Sequence, residues 1–190
     1  MPDYTPVARF STMLRLQDSD AKGLLRFSAA VLGQGYPLVA AHWRSGASAY
    51  AYPVGAHVRH VIEHYEALLQ PKLPGVVDYD QRPRDRELQT NPDVALRRLH
   101  ALLRRLNDWT ADLDTTVQVR GRGGLAGDFR FAVSSSLGRE IVFVTSHAIH
   151  HYALLKPHCL QHGIPIAADF GRAPATVAHE AAPPAHRLAA

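Results

Sequence analysis

Between Pro92 and Trp109 the chain sets Leu96, Leu99, Leu102, Leu103, Leu106 and Trp109 at three- and four-residue intervals, while Arg97, Arg98, Arg104 and Arg105 take the opposite side. Apolar residues spaced this way form one stripe on a helix, and such a stripe must be buried against other elements. Thr90 or Asn91 offers the N-cap, and Pro92 suits the first turn, where its missing N–H is not needed. A second helix is predicted from Pro53 to Gln70, ending before Pro71, with Val54, Val58, Val61, Ile62, Tyr65, Leu68 and Leu69 on its apolar side and Glu63 and Glu66 facing solvent. A third runs from Ser136 towards Gly163, with serines for caps at one end and a C′ glycine at the other. Pro157 inside it predicts a kink or an early stop, because proline removes a backbone donor. Residues 10–31 repeat apolar side chains less regularly, weakened at Gly23, and Asp18 to Asp20 offers an alternative start. Residues 33–37 (GQGYP) break this first pattern, and a long connection is expected from there to Tyr52.

Thr115 to Arg120 and Asp128 to Val133 alternate apolar and polar residues around the turn-prone segment GRGGLAG, which predicts a β-hairpin or extended pair. Residues 71–90 form a polar, proline-punctuated crossing. The expected architecture is therefore all-α: a four-helix bundle with a short β-hairpin or extended insertion before the last long helix, spanning residues 1–172 as one domain. The Pro- and Ala-rich residues 173–190 are expected to be a disordered tail.

Composition narrows the functional classes. The 46% hydrophobic and 20% charged residues are those of an ordinary globular protein. No apolar run is long enough for a transmembrane helix and no secretory signal is visible, so no membrane partner is expected. One cysteine, Cys159, excludes an internal disulfide, fits the cytoplasm, and reads as a small buried residue. The net charge of +4 rests on scattered arginines interleaved with acids rather than on a clustered patch, which argues against nucleic acid as a partner. Twelve histidines in 190 residues are the compositional anomaly.

Several of these histidines fall at helical spacing. His147 and His151 are four residues apart and project from one helix face, a spacing that lets two imidazoles grip one ion. His57, His60 and His64 lie at i, i+3 and i+7 on the 53–70 helix, within about 60° of arc. One histidine from that helix together with His147 and His151 makes a three-nitrogen face on a metal; the residues alone leave open which of the three it is. Three-histidine sites with a free position are those of catalytic rather than structural zinc. Neutral imidazole also suits nickel, iron and copper, so the ligand set does not name the ion. His150 lies to the side of the pair and is expected to flank it. Glu140, seven residues before His147 on the same face, is a candidate to orient a ligand histidine. His158 continues the stripe past Pro157. No nucleophilic-serine motif, phosphate loop or dinucleotide fingerprint is present.

The run PVGAHVRHVIEHYEALL, followed about eighty residues later by SHAIHHYALL, resembles the DinB superfamily of bacterial metalloproteins. The resemblance covers roughly residues 10–165 and is carried by the two histidine-bearing helices. Residues Pro53 to Gly55 fall at the family's helix start, His60 falls at its first ligand position, and His147 and His151 fall at its HxxxH pair. The fourth helix departs from the family, continuing with Tyr152 to Leu155 instead of an Arg-Gly-Gln-like stretch. The resemblance implies a divalent metal, zinc or nickel, held by His60, His147 and His151. It also implies a metal-dependent hydrolase or thiol-dependent transferase acting on a small-molecule substrate, such as one using a low-molecular-weight thiol, and a homodimer through exposed helix faces. The contrasting expectation is a non-catalytic metal-binding or stress-response bundle, in which the ion fastens two helices together.

Overall fold

Asp18 and Asp20 favour the positive end of the first helix, α1 (Asp18–Gly33), whose inner side is Ser28, Val31 and Leu32. The structure, a computed structural model, describes residues 17–45 and 50–182; the earlier part of the predicted 10–31 helix and the end of the tail, 183–190, lie outside them. After Gln34 comes α2 (Gly35–Ser45), then a π-helical turn (Ala51–Gly55) and α3 (Ala56–Leu69). A short strand β1 (Val76–Asp78) precedes α4 (Arg86–Thr90) and α5 (Pro92–Asn107). The chain continues through β2 (Thr116–Gly123), β3 (Phe129–Ser136), the 25-residue α6 (Leu137–Gln161) and α7 (Pro174–Ala181).

Helix α1 packs on α5 and α6, and α3 packs on the same two, so the core fills the space between these four. Leu32, Val58, Ile62, Leu99, Leu102, Val144 and Tyr152 lie in it, each 2% exposed or less. The polar atoms brought inside pair with one another. Ser28 Oγ of α1 is 3.1 Å from the Tyr65 hydroxyl of α3 and 2.8 Å from Thr145 Oγ1 of α6. These contacts spare the three helices the cost of unpaired buried hydroxyls.

The all-α four-helix-bundle expectation is corrected by a three-stranded mixed sheet, ordered β1-β2-β3. Strands β2 and β3 pair antiparallel from Thr116↔Ser136 to Gly123↔Phe129. β1 adds in parallel, with Val77 opposite Val119 and buried to 1% exposure. The fold is α-rich with a sheet on one flank. The sheet arises because the 71–90 crossing is no mere polar connection: Gly75, at φ 69°, turns the chain so that Val76 and Val77 dock on the hairpin.

Other expectations also change. The break expected after Gly33 is instead α2, held by the buried Leu38 and Val39. Helix α6 passes through Pro157; the Ala153 carbonyl that loses its usual donor belongs to an exposed residue, so water can replace the bond. Residues 164–172 fold back on α6, with Phe170 buried and stacked on Tyr152 at 5.1 Å between centroids. Gly171 lies so close to the backbone of Tyr152 and Ala153 that a Cβ there would meet Ala153 N at 2.3 Å. The tail expected to be disordered from 173 carries α7. Glu63 is buried and Glu66 pairs with Arg98, so neither simply faces solvent. No helix among the described residues is long and apolar enough to cross a membrane.

Candidate metal centre

The apolar stripe of α3 turns Val58, Val61, Ile62 and Tyr65 into the core, which leaves His57, His60 and His64 along the side facing α6. On α6, Val144, Ala148, Tyr152 and Leu155 do the same and present His147 and His151 towards α3. Five imidazoles therefore meet across one helix–helix seam. His60, His64 and His147 form a group whose ligating nitrogens all lie within 4.8 Å of one another. The His151 ring adjoins the group as closely as its members adjoin one another, its centroid 4.5 Å from that of His60 and 4.6 Å from that of His147, against 4.9 Å between His60 and His147. Its Nδ1 is engaged by His57 Nδ1 at 2.8 Å. Of the expected triad, then, His60 and His147 fall in the close group, His64 joins them, and His151 lies against both His60 and His147 with its Nδ1 engaged by His57.

Hydrogen bonds orient these rings. His64 Nδ1 is 2.7 Å from the His60 carbonyl oxygen, so it carries the proton and donates, which leaves the Nε2 lone pair free. An N–H to a backbone carbonyl is the usual outer support of a metal-ligating histidine. His147 Nε2 is buried and has no hydrogen-bond partner. A buried nitrogen of this kind is costly unless something engages it. Burial also keeps the imidazoles neutral: it is the largest cause lowering His60 to about 2, His64 to about 3 and His151 to about 4, with neighbouring histidines and Arg82 acting in the same direction. His147 and His57 are lowered for the same leading reason. Neutral imidazole is the form that ligates a metal. An all-nitrogen donor set with one orphaned buried nitrogen fits a divalent transition metal.

A strap between β1 and α4 closes over the group. Tyr79 stacks on His64 (5.5 Å, interplanar 21°), and Phe143 stacks on His147 (5.8 Å, 19°). The Tyr79 hydroxyl donates to Glu140 Oε2 at 2.7 Å, and its pKa is raised, first by burial and then by that carboxylate. Glu140, fully buried, also accepts from Ser135 Oγ at 2.6 Å and Arg139 Nη1 at 2.9 Å. Its carboxylate is thus spent on the strap and the β3–α6 junction, and it acts on the histidines through Tyr79 instead of orienting a ligand directly. Arg82 donates from Nε to the Tyr79 carbonyl at 2.5 Å, and its Nη1 lies 2.7 Å from His60 Nδ1 and 3.1 Å from His64 Nδ1.

His150 is exposed and packs edge-on against His151, a flanking place. His158 pairs with His162, ring centroids 4.1 Å apart, two turns further along α6. Cys159 is buried. Tyr79, Arg82 and Phe143 are the site residues that sequence reasoning missed. The signal for the first two was the long 71–90 crossing, since a connection of that length in a small domain often serves a function.

The chain matches no protein-family model and no solved structure. It is similar to FK506-binding protein 5 of Rhizopus delemar, 30% identical over 105 residues, which cover 55% of this chain and 27% of that protein. The matched region therefore spans about a quarter of the length of that curated relative.

Proposed function

We propose that this protein is a metal-dependent hydrolase or thiol-dependent transferase for a small molecule, with zinc or nickel held between α3 and α6. The observation that carries the reading is the convergence of His60, His64 and His147, with His147 Nε2 buried and unpartnered. His60, His64 and His147 would hold the ion, and His151, whose Nδ1 is engaged by His57, lies near enough to contribute through Nε2. A divalent ion in such a site supplies Lewis acidity, which makes a coordinated thiol or water a better nucleophile near neutral pH. The sequence resemblance to the DinB superfamily supports the same reading, and the single buried Cys159 suits a cytoplasmic setting.

The close group is all imidazole, a donor set that suits a transition metal over a hard cation such as calcium or magnesium. The experiment uses protein substituted with cobalt(II) and titrated with a low-molecular-weight thiol. A new near-ultraviolet sulfur-to-cobalt absorption that saturates at one equivalent is expected. An unchanged cobalt spectrum at millimolar thiol would refute the thiol-dependent transferase; if azide also leaves the spectrum unchanged there is no open position, the hydrolase fails too, and the ion is a fastener of two helices.

A further inference from the structure

Arg82 sits in a place that conflicts with metal binding as the site stands. Its guanidinium can only donate, so the 2.7 Å contact makes His60 Nδ1 the acceptor. A histidine bound to a metal through one nitrogen carries a proton on the other, and neither nitrogen can then accept from a guanidinium. The Arg82–His60 hydrogen bond and ligation by His60 are therefore mutually exclusive. The second contact offers no refuge: His64 Nδ1 already donates to a carbonyl, so at 3.1 Å it faces Arg82 donor to donor.

Loading the site thus frees a half-buried cation at its rim. Arg82 reaches no carboxylate within ion-pair distance among the described residues; Glu63 and Asp80 act on it electrostatically from further away. Arg82 also lines a cavity of about 450 Å³ beside α3, where the charged side chains include Lys72 and Arg120 against Glu63 and Asp78. The same side chain therefore touches the histidine cluster and borders a space that can take the body of a ligand.

We propose that Arg82 is the receptor for an oxyanion, a carboxylate or phosphate, on the molecule that binds beside the metal. The proposal rests on the metal reading above and names the substrate class for that site: a small anionic compound. Arg82 passes from an imidazole partner in the metal-free protein to the ligand's oxyanion in the loaded one. A planar fork of donors matches both oxyanions bidentately.

The test measures zinc affinity of the untagged, full-length protein by competition with a chromophoric chelator, at constant ionic strength. It is done without additive and then with acetate, inorganic phosphate or neutral acetamide. Because coupling between two ligands is reciprocal, an anion that binds Arg82 beside the metal raises zinc affinity. In the wild type we expect acetate or phosphate to raise it about tenfold, the scale of one charge-assisted hydrogen bond, and acetamide to leave it unchanged. Acetate alone acting identifies a carboxylate, and phosphate alone a phosphoryl group. In Arg82→Gln the anion effect disappears, while zinc affinity without anion is equal or higher because a competing cation has gone. Arg82→Lys, which keeps the charge and loses the fork, retains only part of the effect and covers the case in which the glutamine variant fails to fold. Equal anion coupling in the wild type and in Arg82→Gln overturns the proposal. So does no anion effect in a wild type that binds zinc, or a fall in zinc affinity of Arg82→Gln without anion, which would make Arg82 a prop for the rings. A wild type that binds no zinc refutes the metal reading itself and this proposal with it.

Discussion

Replacing Gly55 by alanine separates two physical effects of opposite sign. Gly55 has helical dihedrals (φ −61°, ψ −35°) immediately before α3, so no left-handed backbone requires glycine. On propensity alone, alanine would stabilise the helix by about 0.8–1.0 kcal/mol. The surroundings argue the reverse. A Cβ built there would lie 2.0 Å from the Gln89 carbonyl oxygen and 3.0 Å from that of Tyr50, both rigid backbone atoms. Relieving the first contact needs a shift of more than about 1 Å between α3 and α4, and overpacking of this kind costs about 1–3 kcal/mol or more. Net of the propensity gain, the expected outcome is destabilisation of up to about 2 kcal/mol, a fall in Tm of up to roughly 8 °C for a chain of this size. The first turn of α3 carries His57 and leads to His60, so zinc affinity should fall as well. Differential scanning calorimetry of the metal-free protein reads the first effect and chelator competition the second. A Tm that rises by the amount propensity predicts would refute the close approach of α3 to Gln89.

Two further perturbations test the electrostatics around the site. For metal-free protein, the His64 pKa is lowered from 6.5 to about 3 by burial, so the unfolded chain binds more protons than the folded one below pH 6.5. Stability from keeping His64 neutral is complete above that pH and is lost as pH falls towards 3; between pH 7.5 and 5.5 the loss is about 1.4 kcal/mol. Urea midpoints at the two pH values, with unchanged m, should show a loss larger by that amount in wild type than in His64→Gln, because His60 and His151 contribute theirs in both, and equal losses in both would contradict it. Tyr79→Phe keeps the ring over His64 but strips Glu140 Oε2 of its donor, leaving a buried carboxylate oxygen unsatisfied. That should cost about 1–3 kcal/mol in urea unfolding, and a neutral result would contradict the strap's anchoring.

The stripes of α3 and α5 are legible because each combines strict periodicity with a proline stop or cap, and burial follows that pattern. Helix α2 is not, since Gly33, Gly35 and Pro37 all argue against helix locally and only the tertiary burial of Leu38 and Val39 overrides them. Strand β1 escapes because two valines among prolines and charges have no period; its existence depends on a partner, Val119, forty-two residues away. At the site, helical spacing suffices to bring His60 and His147 together. It cannot decide between His64 and His151, because that choice rests on side-chain rotamers and on competing partners, the His60 carbonyl for one and His57 for the other. Arg82 and Tyr79 lie in the connection whose path depends on β1, so missing the strand meant missing them.

A metal site between α3 and α6 is tested most directly by zinc titration of untagged, metal-free protein by calorimetry. The paired surface histidines His158 and His162 set a weak background, so His158→Ala/His162→Ala protein is the reference. One tight equivalent is expected in that reference, lost when His60→Ala and His147→Ala are added. One equivalent bound with the same affinity after those two substitutions would contradict it.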